Sequence, residues 1–489
     1  MTLKKSHFQQ TLWVTFLVFL CCTAWGVSSP LFSWDFLDAH AADPEHLPPA
    51  RGVYPMFERI SPVTLAYDRL VAVLKFNGNR RTVPFVSWAT SYAFSNPLSV
   101  PAIARRLTCQ KYHLTAENGS EKKGATPEQV LREFVLDANK AFSVDLDQET
   151  LLFPLSRFGA EGAMPMAALI DRMVAKIMEA NLLVKQAFSG ISTKEKSRLF
   201  KLFPRVVDEF VNNDNLSNKD ASAIVAFAGK VHMLDLLRGV AVLSSLFSDD
   251  FLAMIRQTGS AGSVIPLDHG KYPGLKGRFL AIRETPAGLI LIGDKGPNVY
   301  GMDASLIIDL GGDDVYMNNA GAPVYGIRER SVSGIRYPSG VVIDLEGNDR
   351  YLSPKFASLA SGFFGLGLIL DMAGNDFYHG DLLSMGASFF GMGCLMDMAG
   401  NDTYVVQEGG QGCAFFGGAL LFDGAGDDLY QGAKYVQGVG GPLGLGQLHD
   451  LKGRDHYHAG WKHGSSYGTR DIYQACSQGV GWGFRGHAA

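Results

Sequence analysis

The sequence predicts a mixed fold, in which an α-helical N-terminal domain precedes a right-handed parallel β-helix (a β-solenoid) with coils of about 26 residues. The main observation is the pattern Asp-x-x-Gly-x-Asp-x-Tyr, which occurs six times in the second half of the chain. Its first Asp recurs at steps of 35, 27, 26, 26 and 27 residues, and a regular period in this range is typical of solenoids. Before the repeats, the apolar residues follow helical spacing instead.

The first 26 residues have the features of a secretory signal peptide. Lys4 and Lys5 precede an apolar run from Leu12 to Ala24, and small residues flank Trp25 at a suitable cleavage site. We therefore expect an extracytoplasmic protein, in the periplasm, on the cell surface or secreted. Membrane attachment is expected only if the signal stays uncleaved or if Cys21 or Cys22 carries a lipid. The net charge of −4 gives no electrostatic footprint for a nucleic-acid partner.

Composition divides the rest of the chain into a linker (27–55), a helical domain (56–272) and a Gly-rich solenoid (273–489). Two capping boxes, Thr126–Gln129 and Ser192–Glu195, mark helix starts. The stretch from Ala221 to Phe247 is apolar but is interrupted by charged residues, which favours a core helix or helix pair. We expect this domain to cap the first coil of the solenoid, whose strand edges would otherwise be exposed.

The repeat places similar residues at equivalent positions, and these predict stacked rows. An aliphatic residue two positions before each first Asp should form one interior row, and the Tyr of each copy should form another. The aliphatic row comprises Ile307, Val342, Ile369, Leu395, Leu421 and Leu448, and the tyrosine row comprises Tyr316, Tyr351, Tyr378, Tyr404, Tyr430 and Tyr457. The segment from Gly288 to Tyr300 is interpreted as a degenerate coil before the six full copies.

The two Asp positions predict rows of carboxylates. Strands of neighbouring coils lie about 4.8 Å apart. Carboxylates at that spacing repel by about 1 kcal/mol in water and by about 3 to 4 kcal/mol at an effective dielectric constant near 20. Either each Asp accepts turn N–H groups, or a row of Ca²⁺ ions compensates the charge. The candidate metal ligands are Asp309, Asp314, Asp344, Asp349, Asp371, Asp376, Asp397, Asp402, Asp423, Asp428, Asp450 and Asp455.

The core of the repeat, as in Ala399 to Tyr404, resembles the hemolysin-type calcium-binding repeat of the RTX family. Gly400, Asn401 and Asp402 match the Gly-x-Asp turns of that family, as do their equivalents in the other copies. The resemblance implies a parallel β-roll that binds Ca²⁺ between coils. It covers six short patches between residues 309 and 457, which lie about 26 residues apart, whereas the nonamers of that family follow one another directly.

Two insertions interrupt the period, one around Gly326 to Tyr337 and one from Ala459 to Arg470. Insertions in repeat proteins often lie on the binding face. Their Trp, Tyr, Arg and His side chains are typical anchors for a carbohydrate or for an envelope protein. The alternative, that the insertions are tolerated surface loops, is slightly favoured. The candidate ligand-binding residues are Arg328, Arg330, Arg336, Tyr337, Trp461, His463, Tyr467 and Arg470.

These features favour an exported, noncatalytic scaffold or binding protein over an enzyme. The alternative is a polysaccharide lyase or hydrolase, because β-helices host such enzymes, and this rests on fold analogy. Its candidate acids and bases are Glu329, Arg330, His463 and Asp471. A groove that collected these side chains would favour catalysis, and dispersion of them would favour a scaffold.

The C-terminal segment from Ser477 to Gly486 resembles Val436 to Gly444 of the fifth repeat, and it predicts the start of a seventh coil. An uncovered β-edge is a pairing surface. We therefore expect that further copies follow, or that this end self-associates with another chain.

Overall fold

A computed structural model describes residues 125–144, 164–212, 216–328, 331–465 and 468–481. The predicted signal peptide, the predicted linker and the first part of the predicted helical domain lie outside the described residues. The described helices are α1 (Pro127–Ala141), α2 (Met166–Ala187), α3 (Thr193–Asn212), α4 (Asn218–Ala228), α5 (Met233–Ser244) and α6 (Asp249–Ser260), with a 3₁₀ turn at Ser245–Phe247. Among them, none combines the length and apolarity that a membrane crossing needs.

The helix starts follow their sequence signals. The backbone N–H of Gln129 donates to the Thr126 hydroxyl at the start of α1. At the start of α3, Ser192 and Glu195 bond reciprocally, because each backbone N–H donates to the side chain of the other residue. The apolar stretch from Ala221 to Phe247 forms two helices and the 3₁₀ turn, as expected for a helix pair.

The remainder of the described chain is a parallel β-solenoid, as the period predicts. Its strands are β1 (Leu275–Lys276), β2 (Phe279–Thr285), β3 (Gly288–Gly293), β4 (Val299–Tyr300), β5 (Leu306–Asp309), β6 (Val315–Tyr316), β7 (Val324–Arg328), β8 (Ser331–Tyr337), β9 (Ser339–Asp344), β10 (Arg350–Leu352), β11 (Gly362–Phe363), β12 (Leu366–Asp371), β13 (Phe377–Gly380), β14 (Ser388–Phe389), β15 (Met392–Asp397), β16 (Thr403–Glu408), β17 (Ala414–Phe415), β18 (Gly418–Asp423), β19 (Leu429–Lys434), β20 (Leu445–Asp450) and β21 (His456–Ala459).

These strands form two long sheets and one short sheet. The aspartate sheet has the order β2-β3-β5-β9-β12-β15-β18-β20, and the tyrosine sheet has the order β1-β4-β6-β10-β13-β16-β19-β21. The short phenylalanine sheet has the order β11-β14-β17, and β7 and β8 form a separate hairpin. Neighbours in the three solenoid sheets are parallel, except that β1 and β2 run antiparallel to β4 and β3 and close the N-terminal end.

The predicted interior rows are confirmed. Strand register aligns Ile307 with Val342, and the row continues through Leu421 to Leu448. The tyrosine rings stack with centroids 4.5 to 4.9 Å apart. Tyr300 of the degenerate coil joins this row, 4.8 Å from Tyr316. Phe364, Phe390 and Phe416 form a further ladder.

The described helices pack along the side of the solenoid, on its phenylalanine rings and on the outer face of the aspartate sheet. The expectation that the helical domain caps the first coil stays a prediction, because residues 56–124 lie outside the described part of the chain. The Phe203 ring of α3 lies 5.1 Å from the rings of Phe363 and Phe389, and Phe227 of α4 lies 4.9 Å from Phe390. On the aspartate sheet, Leu366 of β12 lies against Gly239 of α5, and Gly418 of β18 lies against Phe134 of α1. Strands β9, β12, β15 and β18 are buried at every position. An apolar outer face needs a cover more than the first coil does, since β1 and β2 already close that coil.

Candidate metal centre

The first Asp of each copy is the last residue of a strand in the aspartate sheet, and five of the six are fully buried. Asp397 shows the arrangement: its Oδ1 accepts the N–H of Ala399 at 3.2 Å, and its Oδ2 accepts the hydroxyl of Tyr378 at 2.8 Å. The first bond is the predicted Asx turn. The second bond joins two coils, because Tyr378 belongs to the preceding copy.

This tyrosine bond recurs at every junction between coils. In each case the hydroxyl of one coil donates to Oδ2 of the first Asp in the next coil. The pairs are Tyr300–Asp309, Tyr316–Asp344, Tyr351–Asp371, Tyr378–Asp397, Tyr404–Asp423 and Tyr430–Asp450. Sequence analysis places the tyrosines in the core but misses this role, which the spacing of 19 or 20 residues between Tyr and the next Asp in the last four pairs could have indicated.

The second Asp of each copy also reaches the preceding coil. Oδ1 of Asp402 accepts the backbone N–H of Asp376 at 2.6 Å, and the same bond links the other copies. The other oxygen differs, because Oδ2 is buried and receives no hydrogen bond. This holds for Asp314, Asp349, Asp376, Asp402 and Asp428. Each of these residues is at most 2% exposed.

These carboxylates converge in groups of three. Within each group, one oxygen per residue lies within 4.8 Å of the others. Among the described residues the groups are Asp309/Asp314/Asp344, Asp344/Asp349/Asp371, Asp371/Asp376/Asp397, Asp402/Asp423/Asp428 and Asp428/Asp450/Asp455. All twelve predicted aspartates are brought together in this way, and each group takes residues from two successive coils.

Burial raises the pKa of these carboxyl groups, and neighbouring carboxylates raise several of them further. The pKa rises to about 9 for Asp314, to about 11 for Asp349 and to about 10 for Asp402. For Asp344 and Asp397 it rises to about 7, because the tyrosine and turn hydrogen bonds partly offset the desolvation. Without a cation, the row therefore holds protons at neutral pH.

The rows begin at neutral residues. Gly293 of the degenerate coil precedes Asp309 in the strand order, and Asn298 occupies the place of a second Asp. The Asn298 side chain donates to Oδ2 of Asp309 at 3.1 Å, and its backbone N–H donates to Oδ1 of Asp314 at 2.5 Å. Sequence analysis misses Asn298, although its position two residues before Tyr300 matches that of the second Asp.

The groups fit a hard cation. They offer carboxylate oxygens, which are the ligands that Ca²⁺ and Mg²⁺ prefer. The buried Oδ2 atoms have no N–H or hydroxyl donor, so each must share a proton with a neighbouring carboxylate or contact a cation. An uncompensated buried polar atom costs about 1 to 3 kcal/mol, and more if it is charged. These clusters could hold a metal ion.

The predicted ligand-binding residues do not form one site among the described residues. In the first insertion, the Arg336 guanidinium lies 5.3 Å from the centre of the Tyr337 ring. In the second insertion, the Trp461 ring stacks on His458, and Arg470 pairs with Asp471. Arg330, Glu329 and Tyr467 lie outside the described residues, as does the side chain of Arg328.

His463 has a different environment from the other candidates. Its Nε2 lies 2.9 Å from a Glu408 carboxylate oxygen that also pairs with Lys462 at 2.7 Å. Glu408 is buried on β16, so these contacts attach the second insertion to an earlier coil. Asp471 is exposed at the surface and its carboxylate does not join this cluster.

Comparison of the chain with protein-family models, with curated proteins and with solved structures finds no match.

Proposed function

We propose that this chain is an exported, noncatalytic scaffold or binding protein whose solenoid is stabilised by Ca²⁺ between its coils. The observation that supports it most is the row of buried Oδ2 atoms without hydrogen bonds, from Asp314 to Asp428. Each of these residues belongs to a group of three carboxylates drawn from two successive coils. A cation there would be coordinated by these oxygens and would balance the negative charge of the row.

Charge balance favours a divalent ion. Each coil contributes two buried carboxylates to the rows, so one divalent cation per coil would neutralise them. Calcium suits this geometry better than magnesium, because it accepts six to eight oxygen ligands in flexible arrangements. Magnesium requires a near-ideal octahedron and keeps several of its waters, which a buried row accommodates poorly. The described clusters contain no nitrogen or sulfur ligand that would favour a transition metal.

A noncatalytic role is supported by the dispersion of the candidate acids and bases. Among the described candidates, His463 is engaged with Glu408, whereas Asp471 lies exposed beside Arg470. The flat, repetitive sides of a solenoid instead suit the binding of an extended partner. We propose a carbohydrate or an envelope protein as that partner, consistent with the signal peptide at the N-terminus.

Thermal unfolding of the whole protein tests calcium stabilisation. A ligand of the native state at about 100 times its Kd stabilises by about 2.7 kcal/mol. The unfolding midpoint should therefore be higher in millimolar Ca²⁺ than in a chelator, and the shift with Mg²⁺ should be smaller. The whole chain is required, because the helices cover the outer face of the aspartate sheet and an isolated solenoid would expose it. Equal midpoints in Ca²⁺ and chelator would contradict the proposal.

A further inference from the structure

The two ends of the solenoid differ. At the N-terminal end, the antiparallel strands β1 and β2 cover the first parallel strands of both long sheets. At the other end, β20 and β21 are the outermost strands of the same two sheets, and the described residues pair no strand with their outer edges. The terminal rung, which we define as β20 and β21, is therefore an open edge of the kind that recruits another strand.

The terminal rung exposes groups that are buried in every internal coil. Tyr457 is 40% exposed, whereas the six tyrosines stacked before it are fully buried. Its hydroxyl donates to Asp450 of its own coil at 2.6 Å, whereas each earlier tyrosine donates to the next coil. A cavity of about 630 Å³ lies beside it, lined by Leu448, Tyr457 and Gln478 among others.

The seventh coil begins as the sequence predicts but covers only part of this end. The backbone N–H groups of Gln478 and Gly479 donate to the carbonyls of Val436 and Gln437, and Gly481 bridges Gly440 in parallel. These contacts lie on the corner of the coil before β20. Beyond them, the edges of β20 and β21 and the ring of Tyr457 are left uncovered by the described residues.

We propose that the terminal rung is a docking surface for a second copy of this chain, joined end to end about a two-fold axis. A second copy is the preferred partner because the terminal rung has the same kind of surface on which each internal coil binds the next coil. A two-fold axis brings the same rung of each copy together, so that each copy offers its open edge to the other.

This inference does not depend on calcium, so it can fail independently of the proposed function. Light scattering during size-exclusion chromatography of the whole protein should give a mass about twice that of the 53.0 kDa chain, less any cleaved signal, falling towards one chain on dilution. Leu448→Lys places a charge on the rung and should give monomer. The control Leu429→Lys, at a residue 38% exposed on the outer face of β19, should leave the dimer intact.

Hydrogen exchange gives a readout that does not rely on a variant, because amides of β20 and β21 should exchange more slowly in the dimer than after dilution. A monomer at all concentrations would overturn the proposal, as would a dimer that survives Leu448→Lys with the same exchange pattern. Deletion of residues 482–489 tests another occupant. If a monomeric whole chain becomes dimeric after that deletion, those residues rather than a second copy cover the rung.

Discussion

At the scale of single residues, the buried aspartates meet two different environments. The first Asp of a copy uses both oxygens, one for a turn N–H and one for a tyrosine hydroxyl. The second Asp uses one oxygen for a backbone N–H and leaves the other without a donor. The difference separates the structural role of the motif from its capacity to bind a cation, and each role can be tested by a different substitution.

Asp376→Asn tests the cation role. The amide keeps an acceptor for the N–H of Asp349 but removes the charge from the group Asp371/Asp376/Asp397. In chelator at pH 8 to 9 the variant should be more stable than the wild type by about 2 to 4 kcal/mol, because the raised pKa of Asp376, about 7, makes its ionisation costly. When Ca²⁺ is added, the unfolding midpoint of the variant should rise by less than that of the wild type.

The matched control is Asp313→Asn. Asp313 is exposed, accepts the N–H of Asn348 at 3.0 Å, and has Asn at the equivalent position in three other copies. Its calcium shift should equal that of the wild type. Equal calcium shifts for the Asp376 variant and this control would show that the buried row does not bind the ion.

Tyr378→Phe tests the structural role. The change removes the hydroxyl that donates to Asp397 at 2.8 Å and leaves a buried carboxylate oxygen without this partner. We expect a loss of about 1 to 3 kcal/mol in the free energy of unfolding, measured by denaturant titration. Tyr457→Phe, at the exposed terminal ring, should cost less than about 1 kcal/mol. Similar losses for the two variants would count against a stabilising role for the buried bond.

At the scale of elements, the turn that follows each strand of the aspartate sheet depends on close approach of successive backbones. A Cβ at Gly400 would lie 1.9 Å from the carbonyl oxygen of Gly374, and equivalent contacts recur in the neighbouring turns. The repeat therefore requires Gly because the stacked turns leave no room for a side chain.

Gly400→Ala should consequently destabilise the protein by at least about 3 kcal/mol, since two stacked backbones must separate. Gly464→Ala is the control, because a Cβ at Gly464 meets no atom within 4 Å. Thermal unfolding of both variants in the same buffer gives the comparison. A midpoint for Gly400→Ala within a degree or two of the wild type would contradict the close-packed turn.

The elements also show why sequence predicts some features and not others. Period and register are local properties of the repeat, so the rows from Ile307 to Leu448 and from Tyr316 to Tyr457 follow from alignment of the copies. The position of the helices is a tertiary property. Strands such as Leu366–Asp371 are apolar at nearly every position, which indicates burial on both faces. The copies do not contain information on what covers the outer face.

The candidate site was predictable to a similar extent. All twelve aspartates follow from the motif, but hydrogen bonds between coils depend on which side chains meet after stacking. The bond from Tyr378 to Asp397 and the neutral start of the row at Asn298 therefore required the three-dimensional arrangement. The insertions were the least predictable part, because no neighbouring copy constrains them.

At the scale of the whole molecule, the protons held in the buried row predict an unusual pH dependence. Asp344, Asp397 and Asp402 have folded pKa values raised to about 7, 7 and 10, above the unfolded value. Between the unfolded and folded values, the native state binds more protons than the unfolded state. Stability in chelator should therefore be highest near the unfolded pKa and should be lost as the pH rises through the folded values.

The unfolding midpoint in chelator should fall between about pH 5 and about pH 9, the opposite of the behaviour of salt-bridged carboxylates. Calcium should weaken or reverse this slope, because ligand carboxylates must be deprotonated. Differential scanning calorimetry at several pH values, with and without Ca²⁺, gives both slopes. A midpoint that rises with pH in chelator would show that the carboxyl groups are ionised and compensated in some other way.

The helical layer also has an evolutionary consequence. It contacts the solenoid at widely separated coils: Gly259 of α6 packs on Leu310, and Gln447 donates to Asp137 of α1 at 2.9 Å. Most repeat arrays change their copy number easily, since recombination between similar units keeps every junction intact. Here, loss or gain of one unit would shift these anchor points by about 4.8 Å relative to helices of constant length. The helical layer therefore fixes the number of coils. We expect related sequences to vary within each unit far more than in the number of units.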